Sequence, residues 1–348
     1  MNENQSSHNQ INYWRILILA TVLVIAFTVF VGRLFILQFL QADEWVAKAQ
    51  DNNTEVFNLP ALRGIIYDRN DTILARNIAS HNITLTFADL PDDPGAVQEI
   101  FRELSVLIDL PVNQSELSTE NPYVPCISDH GISQIALYGE TASPFRPVQV
   151  KCDVDEEIAM IVMEKSSDWP GIGTEIQAIR DYPTGSLTSS IVGFLGPIPA
   201  LQEEFYREQG FLSNRDKVGY AGVELQFQEL LSGINGQRVA EVDVAGQVIR
   251  PDIEEPRPPQ DGYSMRLTLD TRLQQAAEQI LTDELAEWNA FFGEIKYNRG
   301  VVIAIDPQTG EVLAMISYPN YDNSRMSRFI PAYYYNQLAN DPTKPLLN

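Results

Sequence analysis

A run of seventeen residues without a charge, Ile16 to Gly32, constrains this chain more than any other stretch. It reads ILILATVLVIAFTVFVG, and two threonines are its polar members. Apolar character continues through Leu34, Phe35, Ile36, Leu37, Phe39 and Leu40, interrupted by Arg33 and Gln38. A helix rises about 1.5 Å per residue and needs roughly 20 residues to cross a hydrocarbon core. Residues 14–40 are therefore long enough for a single span. A cleaved leader would carry an apolar stretch of about 7–15 residues closed by a small-x-small site, and no convincing site follows. The reading is an uncleaved anchor. Arg33 falls near the far end of the span, where its stem can snorkel to the interface. Residues 1–13 form a short tail with Arg15 close behind, while Asp43, Glu44 and Asp51 follow the span. That asymmetry predicts a cytoplasmic N-terminus and an extracytoplasmic remainder.

The remainder is long enough for two domains, and 44% hydrophobic residues with 9% aromatics supply real cores. A net charge of −23 excludes nucleic acid as a partner, since that demands a basic surface, and fits an acidic ectodomain. His8, His81 and His130 are isolated, and no HExxH or CxxC spacing occurs, so no metal or other cofactor is expected. Cys126 and Cys152 would lie on the oxidising side. A disulfide between them would add roughly 3–4 kcal/mol on the chain-entropy model, and two separate buried thiols are the alternative.

Residues 42–53 read as a polar continuation of the anchor helix. Ile65-Ile66-Tyr67 and Ile73-Leu74-Ala75 flank Asp68-Arg69-Asn70-Asp71, the pattern of a β-hairpin. A separate strand is expected at Ile83–Phe87. Val97, Ile100, Phe101, Leu104, Leu107 and Ile108 then form an amphipathic helix. Residues 111–147, rich in Ser, Asn and Pro, read as loops with short strands, followed by a helix at Glu156–Glu164 and a strand at Gly173–Ile179. The stretch from about 88 to 178 reads as a head subdomain set into a pedestal of residues 41–250. A helix carrying Val223, Leu225, Phe227, Leu230 and Leu231 leads to Gly233 and Gly236. Four prolines make 251–261 a linker. Beyond it, Tyr263, Met265, Leu267 and Leu269 alternate as a strand. A helix follows, capped around Asp270-Thr271, with Thr271 and Gln274 at capping-box spacing and a buried stripe of Leu273, Ala277, Ile280, Leu281, Leu285 and Trp288. Gly300–Ile305 and Glu311–Ser317 form a hairpin around Asp306–Gly310. The Tyr333-Tyr334-Tyr335 cluster reads as packing, not as a binding platform.

Several of these segments together resemble the class B penicillin-binding proteins, the bacterial cell-wall transpeptidases. Arg63-Gly64 through Asp68-Arg69-Asn70, with Leu74-Ala75, is similar to that family's first non-catalytic motif, although Asp71 stands where a glycine is usual. Gly219-Tyr220-Ala221-Gly222-Val223-Glu224, then Leu231-Ser232-Gly233 and Gly236, resembles its GxxGxE segment. Thr268-Leu269-Asp270 with Leu273-Gln274 is similar to the start of its transpeptidase domain, and the 300–319 hairpin to the one that follows. Tyr182-Pro183 and Gly193-Phe194-Leu195-Gly196 look more like the elongation-type branch, penicillin-binding protein 2, than the division-type branch. The resemblance implies an α+β fold with a single N-terminal transmembrane helix. An elongated mixed pedestal (dimerisation) domain with its inserted head subdomain would follow, and then residues 262–348, the incomplete start of a penicillin-binding/β-lactamase-like transpeptidase domain. It gives Arg63, Asp68, Arg69 and Glu224, with Gly64, Gly219 and Gly222, structural roles as ties between pedestal and transpeptidase domain. It also implies a single-pass protein of the bacterial inner membrane that works with a membrane glycan polymerase and other elongation proteins.

The family's reaction needs a serine with a lysine three residues later, followed by SxN and KTG elements, and an oxyanion hole. None of the six lysines has a serine three residues before it, and no KTG or KSG occurs. An S-x-N at Ser80-His81-Asn82 has no partner. Asn340–Asn348 resembles what precedes the catalytic SxxK. The expectation is a transpeptidase's N-terminal part that ends before its nucleophile and is inactive alone, engaging stem peptides and β-lactams only when completed. The competing expectation is a non-catalytic pedestal that activates a glycan polymerase.

Overall fold

The computed structural model describes residues 13–41, 53–142, 144–212, 215–243, 246–327 and 332–346. The chain divides into two compact units, 1–55 and 56–348. In the first, a helix runs over Tyr13–Phe35 and widens into a π-turn at Ile36–Leu40. Its Leu17–Phe39 stretch has a mean hydropathy of 2.4, and none of it is buried by protein. The Thr21 and Thr28 hydroxyls donate to Leu17 O and Val24 O, both at 2.8 Å, so the helix satisfies its own polar groups, as a hydrocarbon surrounding requires. The expected helical continuation over 42–52 lies outside the described residues.

The second unit contains most of strands β1 (Thr54–Leu59) to β12 (Val312–Tyr318). Its spine is β3, Ile73–Leu85. β3 pairs antiparallel with β2 (Ile66–Tyr67) at its start and, further on, with β4 (Val148–Val154) and β5 (Ile172–Asp181). The hairpin expected around Asp68–Asp71 is present, and Asp71, where the family resemblance predicts glycine, takes the left-handed φ of 66°. Ile73–Ala75 and Ile83–Leu85, read from sequence as two strands, are one. The polar stretch between them is held by distant partners: Arg76 pairs with Asp181 at 2.8 Å, and Asn82 Nδ2 donates to Gln177 at 3.1 Å.

The far half of the spine packs into a hydrophobic cluster built from residues between Ile83 and Ile172. Ile83 and Leu85 pack with Ile100, Phe101, Leu104 and Ile108 of helix Pro94–Ile108, and with Val162 and Trp169. Asp93 caps that helix, its carboxylate accepting from Gly95 N at 3.1 Å. Residues 111–147 hold a helix, Ile132–Ala142, where loops and short strands were expected. Ile132, Ile135, Ala136 and Gly139 form its buried face, at i, i+3, i+4 and i+7. Cys126 and Cys152 are joined in a disulfide, with Cα atoms 5.4 Å apart. Closing a loop across 26 positions stabilises by about 3.5 kcal/mol on the chain-entropy model. Replacing both cysteines by serine is therefore expected to lower the unfolding free energy by that margin, and unchanged melting on reduction would contradict it.

A second sheet of three strands is formed by β1, β8 (Gly236–Val242) and β9 (Val248–Arg250), and β6 (Leu195–Pro197) pairs with β7 (Lys217–Gly219). The proline-rich 251–261 is no free linker: it lies along β8 through Gln237–Arg257 and Ile234–Gln260 bridges. The expected 263–269 strand is reduced to β10 (Met265–Arg266), parallel to β2. The single helix expected around Val223–Leu231 is two, Gly222–Gln226 and Gln228–Leu231, divided at Phe227.

Helix Thr271–Phe292 then packs on the hairpin of β11 (Gly300–Ile305) and β12. Two expectations fail there. Asp270 caps the helix, accepting from Arg272 N at 3.0 Å and Leu273 N at 3.4 Å, while Thr271 and Gln274 bond elsewhere. The apolar stripe is also not buried: Ile280 is 64% and Trp288 51% exposed, Phe291 is open as well, and so are Val301 and Ile303 on the hairpin. The helix buries only Thr271 and Gln274, because one two-stranded hairpin is too small a layer to cover it. Tyr334 is buried with Phe194, Tyr321, Met326 and Leu338, Tyr335 is partly exposed, and the Tyr333 side chain lies outside the described residues.

Candidate functional site

The densest polar construction lies in the pedestal. The Glu224 carboxylate is fully buried in the short helix Gly222–Gln226. Its Oε2 accepts from Arg63 Nε at 2.6 Å, and its Oε1 from Arg180 Nε at 2.8 Å and the Tyr182 hydroxyl at 3.4 Å. Arg63 Nη2 also donates to the Glu224 carbonyl at 2.9 Å, and Asn77 Nδ2 to the Arg63 carbonyl at 2.6 Å. Three separate stretches thus meet at one carboxylate, with Asn77 of a fourth holding the Arg63 backbone. Both guanidinium groups are buried, Arg180 to 3% exposure. Burial, and then the neighbouring Glu224 charge, push the Tyr182 phenol well above its usual range, so Tyr182 stays a neutral donor.

The glycines expected in this region keep backbones in contact. A Cβ on Gly219 would stand 2.0 Å from Glu224 O, and one on Gly64 2.0 Å from Tyr263 O. Gly222 has a φ of +57° and would meet Ile191 O at 2.2 Å. Each close approach requires the absence of a side chain.

Asp68 and Arg69 belong to a second locus. Asp68 is buried in the β2–β3 turn, and its Oδ1 accepts from Asn70 N at 2.7 Å and Thr72 N at 2.8 Å. Its Oδ2 accepts from Thr271 N at 3.2 Å and Thr271 Oγ1 at 2.8 Å, at the start of the long helix. Arg69 N donates to Leu269 O at 2.9 Å, while its side chain faces Glu311 at 3.5 Å, exposed and worth little. Asp68 and Arg69 thus cross to the segment after residue 262, whereas Arg63 and Glu224 bond within the pedestal. Cys126 and Cys152 take no part in either locus and are bonded to each other.

Burial alone would raise the Asp68 carboxyl, but hydrogen bonds from Thr72, Thr271 and Asn70 outweigh it and hold the group below its usual 3.8. A depressed folded-state value contributes stability above the unfolded value and loses it as pH falls through the folded one. Stability is therefore expected to fall below about pH 4, and less steeply in Asp68→Asn. Parallel acid-denaturation curves for the two would refute the assignment.

Sequence reasoning missed Arg180, Tyr182, Asn77 and Gln274 as participants. The run Arg180-Asp181-Tyr182-Pro183 was a visible signal, but nothing in it pointed to Glu224. Gln274, fully buried, donates from Nε2 to Met315 O at 2.7 Å and Leu187 O at 3.1 Å, and accepts from Met315 N at 2.8 Å. Ser80 and Asn82 are buried strand residues of β3. Among the described residues, no group of three His, Cys, Asp or Glu is placed to hold a metal.

A sequence profile described as the penicillin-binding protein dimerisation domain matches residues 58–267, more than half of the chain. The chain belongs to the penicillin-binding protein dimerisation-domain family. It is homologous over most of its length to the peptidoglycan D,D-transpeptidase MrdA. The Escherichia coli K12 protein is 28% identical over 324 residues, 92% of this chain and 45% of that one. MrdA of Salmonella typhimurium LT2 is 26% identical over 338 residues, 96% of this chain and 48% of that one. Escherichia coli FtsI, also named a peptidoglycan D,D-transpeptidase, is 26% identical across 93% of this chain and 47% of its own length. The chain thus spans about half the length of the curated relatives it matches. Among solved structures, penicillin-binding protein 2 in its complex with MreC from Helicobacter pylori has a TM-score of 0.59 at 22% identity, covering 85% of this chain and 48% of that one. That likeness is one of fold. A chain from the structure "Structural coordination of polymerization and crosslinking by a peptidoglycan synthase complex" has a TM-score of 0.56 at 28% identity, over 96% of this chain and 51% of that one. The family match and the apolar N-terminal helix together describe a membrane-anchored penicillin-binding-protein pedestal.

Proposed function

We propose that this chain is the anchored, pedestal-bearing part of an elongation-type peptidoglycan D,D-transpeptidase. The whole enzyme would cross-link stem peptides by serine acyl transfer, with the nucleophile on the portion of its relatives that this chain does not match. The observation that carries the reading is the junction: a family pedestal delivers the chain, through Asp68 and Thr271, into a helix and hairpin whose outer apolar face is open. Such a face is what a larger transpeptidase domain would cover. The pedestal motifs are structural in this reading, since Arg63, Glu224 and Asp68 are engaged by one another, by Arg180, Tyr182 and Thr271, and by backbone groups, and present no nucleophile. A fluorescent penicillin should leave the 348-residue chain unlabelled; stoichiometric labelling would sink the assignment.

The anchor is proposed to lie in the bacterial inner membrane with its N-terminus inside. The Cys126–Cys152 disulfide supports an extracytoplasmic head, because cytosolic disulfides are rare. An alkaline phosphatase fusion after residue 250 should be active, and an inactive, stable fusion would reverse the orientation.

A second reading has its own support. The synthase-complex neighbour covers 96% of this chain. Anchor and pedestal are accordingly proposed to contact a membrane glycan polymerase and stimulate it. Gly32 has no neighbour within 4 Å in its helix, so Gly32→Leu should weaken stimulation while leaving insertion intact. Unchanged stimulation would return the helix to the role of tether.

A further inference from the structure

The segment Leu187–Gly193 lies between the Glu224 cluster and the helix-and-hairpin domain, and it meets the two in different ways. Toward that domain it offers backbone carbonyls. Leu187 O accepts from Gln274 Nε2 at 3.1 Å, Ser189 O from the Tyr321 hydroxyl at 2.9 Å, and Gly193 O from Asn323 Nδ2 at 2.9 Å. All three donors are buried, Gln274 and Asn323 completely. Toward the pedestal the same segment touches backbone directly. A Cβ on Gly193 would stand 1.9 Å from Ala221 O, and one on Gly222 2.2 Å from Ile191 O. Two residues beyond Gly222 is Glu224, with Arg63 and Arg180 on its carboxylate.

A backbone-to-backbone contact has no rotamer to absorb a displacement, and packed interiors transmit strain. A buried side-chain donor that loses its carbonyl is left unsatisfied, which is costly. A shift of helix Gly222–Gln226 must therefore move the carbonyl ledge, and a moved ledge must strain or break the bonds from Gln274, Tyr321 and Asn323. Gln274 passes the effect on, because the same amide is zipped to β12 at Met315. We infer that Gln274, Tyr321 and Asn323 are positioning residues that couple the frame of the helix-and-hairpin domain to the Glu224 cluster through the Leu187–Gly193 ledge. The coupling is a property of the frame and holds whether or not the acyl-transfer reading does.

Hydrogen exchange on the full chain in detergent tests it. Arg63→Lys keeps the charge but loses the guanidinium fork, and Arg63 makes its side-chain bonds to Glu224 alone. Amide exchange over 271–277 and 313–327 should rise about tenfold although nothing there is altered. Asn323→Ala should raise exchange over 187–193 and 221–226 in return, since coupling is reciprocal. Lys165→Ala, an exposed change in the head, should move none of these. Effects of Arg63→Lys confined to 58–82 and 180–231 would overturn the inference, as would strictly additive destabilisation of Arg63→Lys and Asn323→Ala. If Arg63→Lys does not fold, Tyr321→Phe removes a single hydroxyl and serves in the reverse direction. Unchanged exchange over 187–193 and 221–226 would then overturn it.

Discussion

Glu224→Ala is expected to destabilise the chain by about 3–5 kcal/mol, because it strands two buried guanidinium groups without a counter-charge. The cluster already carries more positive than negative charge, and Arg180 Nη2 is buried with no hydrogen-bond partner. Removing the one carboxylate leaves Arg63 and Arg180 facing each other in a poorly solvated interior. Denaturant midpoints at constant slope would read the loss directly. A loss below about 1 kcal/mol would mean that the cluster behaves as a surface pair, with water reaching it. The complementary variant separates stability from specificity. Replacing all three charges together, Arg63→Met, Arg180→Met and Glu224→Leu, should cost far less than Glu224→Ala alone, since buried ion clusters often give way to apolar packing at little net cost. The triple variant would recover stability while losing the fixed geometry that places helix Gly222–Gln226 against the carbonyl ledge.

What could be read from the sequence was what local pattern carries. The anchor stands on an uncharged run, helix Pro94–Ile108 on its spacing, and the β11–β12 hairpin on a turn whose Gly310 takes a φ of +78°. Continuity of β3 was not legible, because Arg76 to Asn82 are mostly polar and owe their strand geometry to β5, about a hundred residues later. Helix Ile132–Ala142 was hidden by its Ser-, Asn- and Pro-rich surroundings, although its own apolar spacing was present. The capping-box expectation failed for an instructive reason: Gln274 has the right spacing to reach back to the helix start, but a buried amide with two backbone partners on β12 satisfies more groups. Motif resemblance located Arg63 and Glu224 but not their pairing with each other, and it could not supply Arg180 or Tyr182. Those arrive by β5, whose register against β3 sets Arg180 opposite Asn77.

Gly222→Ala is expected to cost about 3 kcal/mol, and the comparison with two other glycines says why. Gly222 combines a left-handed backbone, which costs a residue with a Cβ about 1–2 kcal/mol, with a contact at 2.2 Å to Ile191 O that no rotamer change can relieve. Overpacking of that kind adds about 1–3 kcal/mol. Gly310 has the backbone condition alone: its φ is +78° and a Cβ there would meet nothing within 4 Å. Gly219 has the contact alone, 2.0 Å to Glu224 O with no left-handed φ. Gly310→Ala should therefore lose only about 1 kcal/mol, and Gly219→Ala an amount set by how far the Glu224 carbonyl can retreat without breaking its bond from Arg63 Nη2. Measured by denaturation, the three values separate strain from collision. If Gly222→Ala costs no more than Gly310→Ala, the Ile191 backbone yields freely. The ledge would then have the slack that coupling between the Glu224 cluster and the helix-and-hairpin domain cannot tolerate.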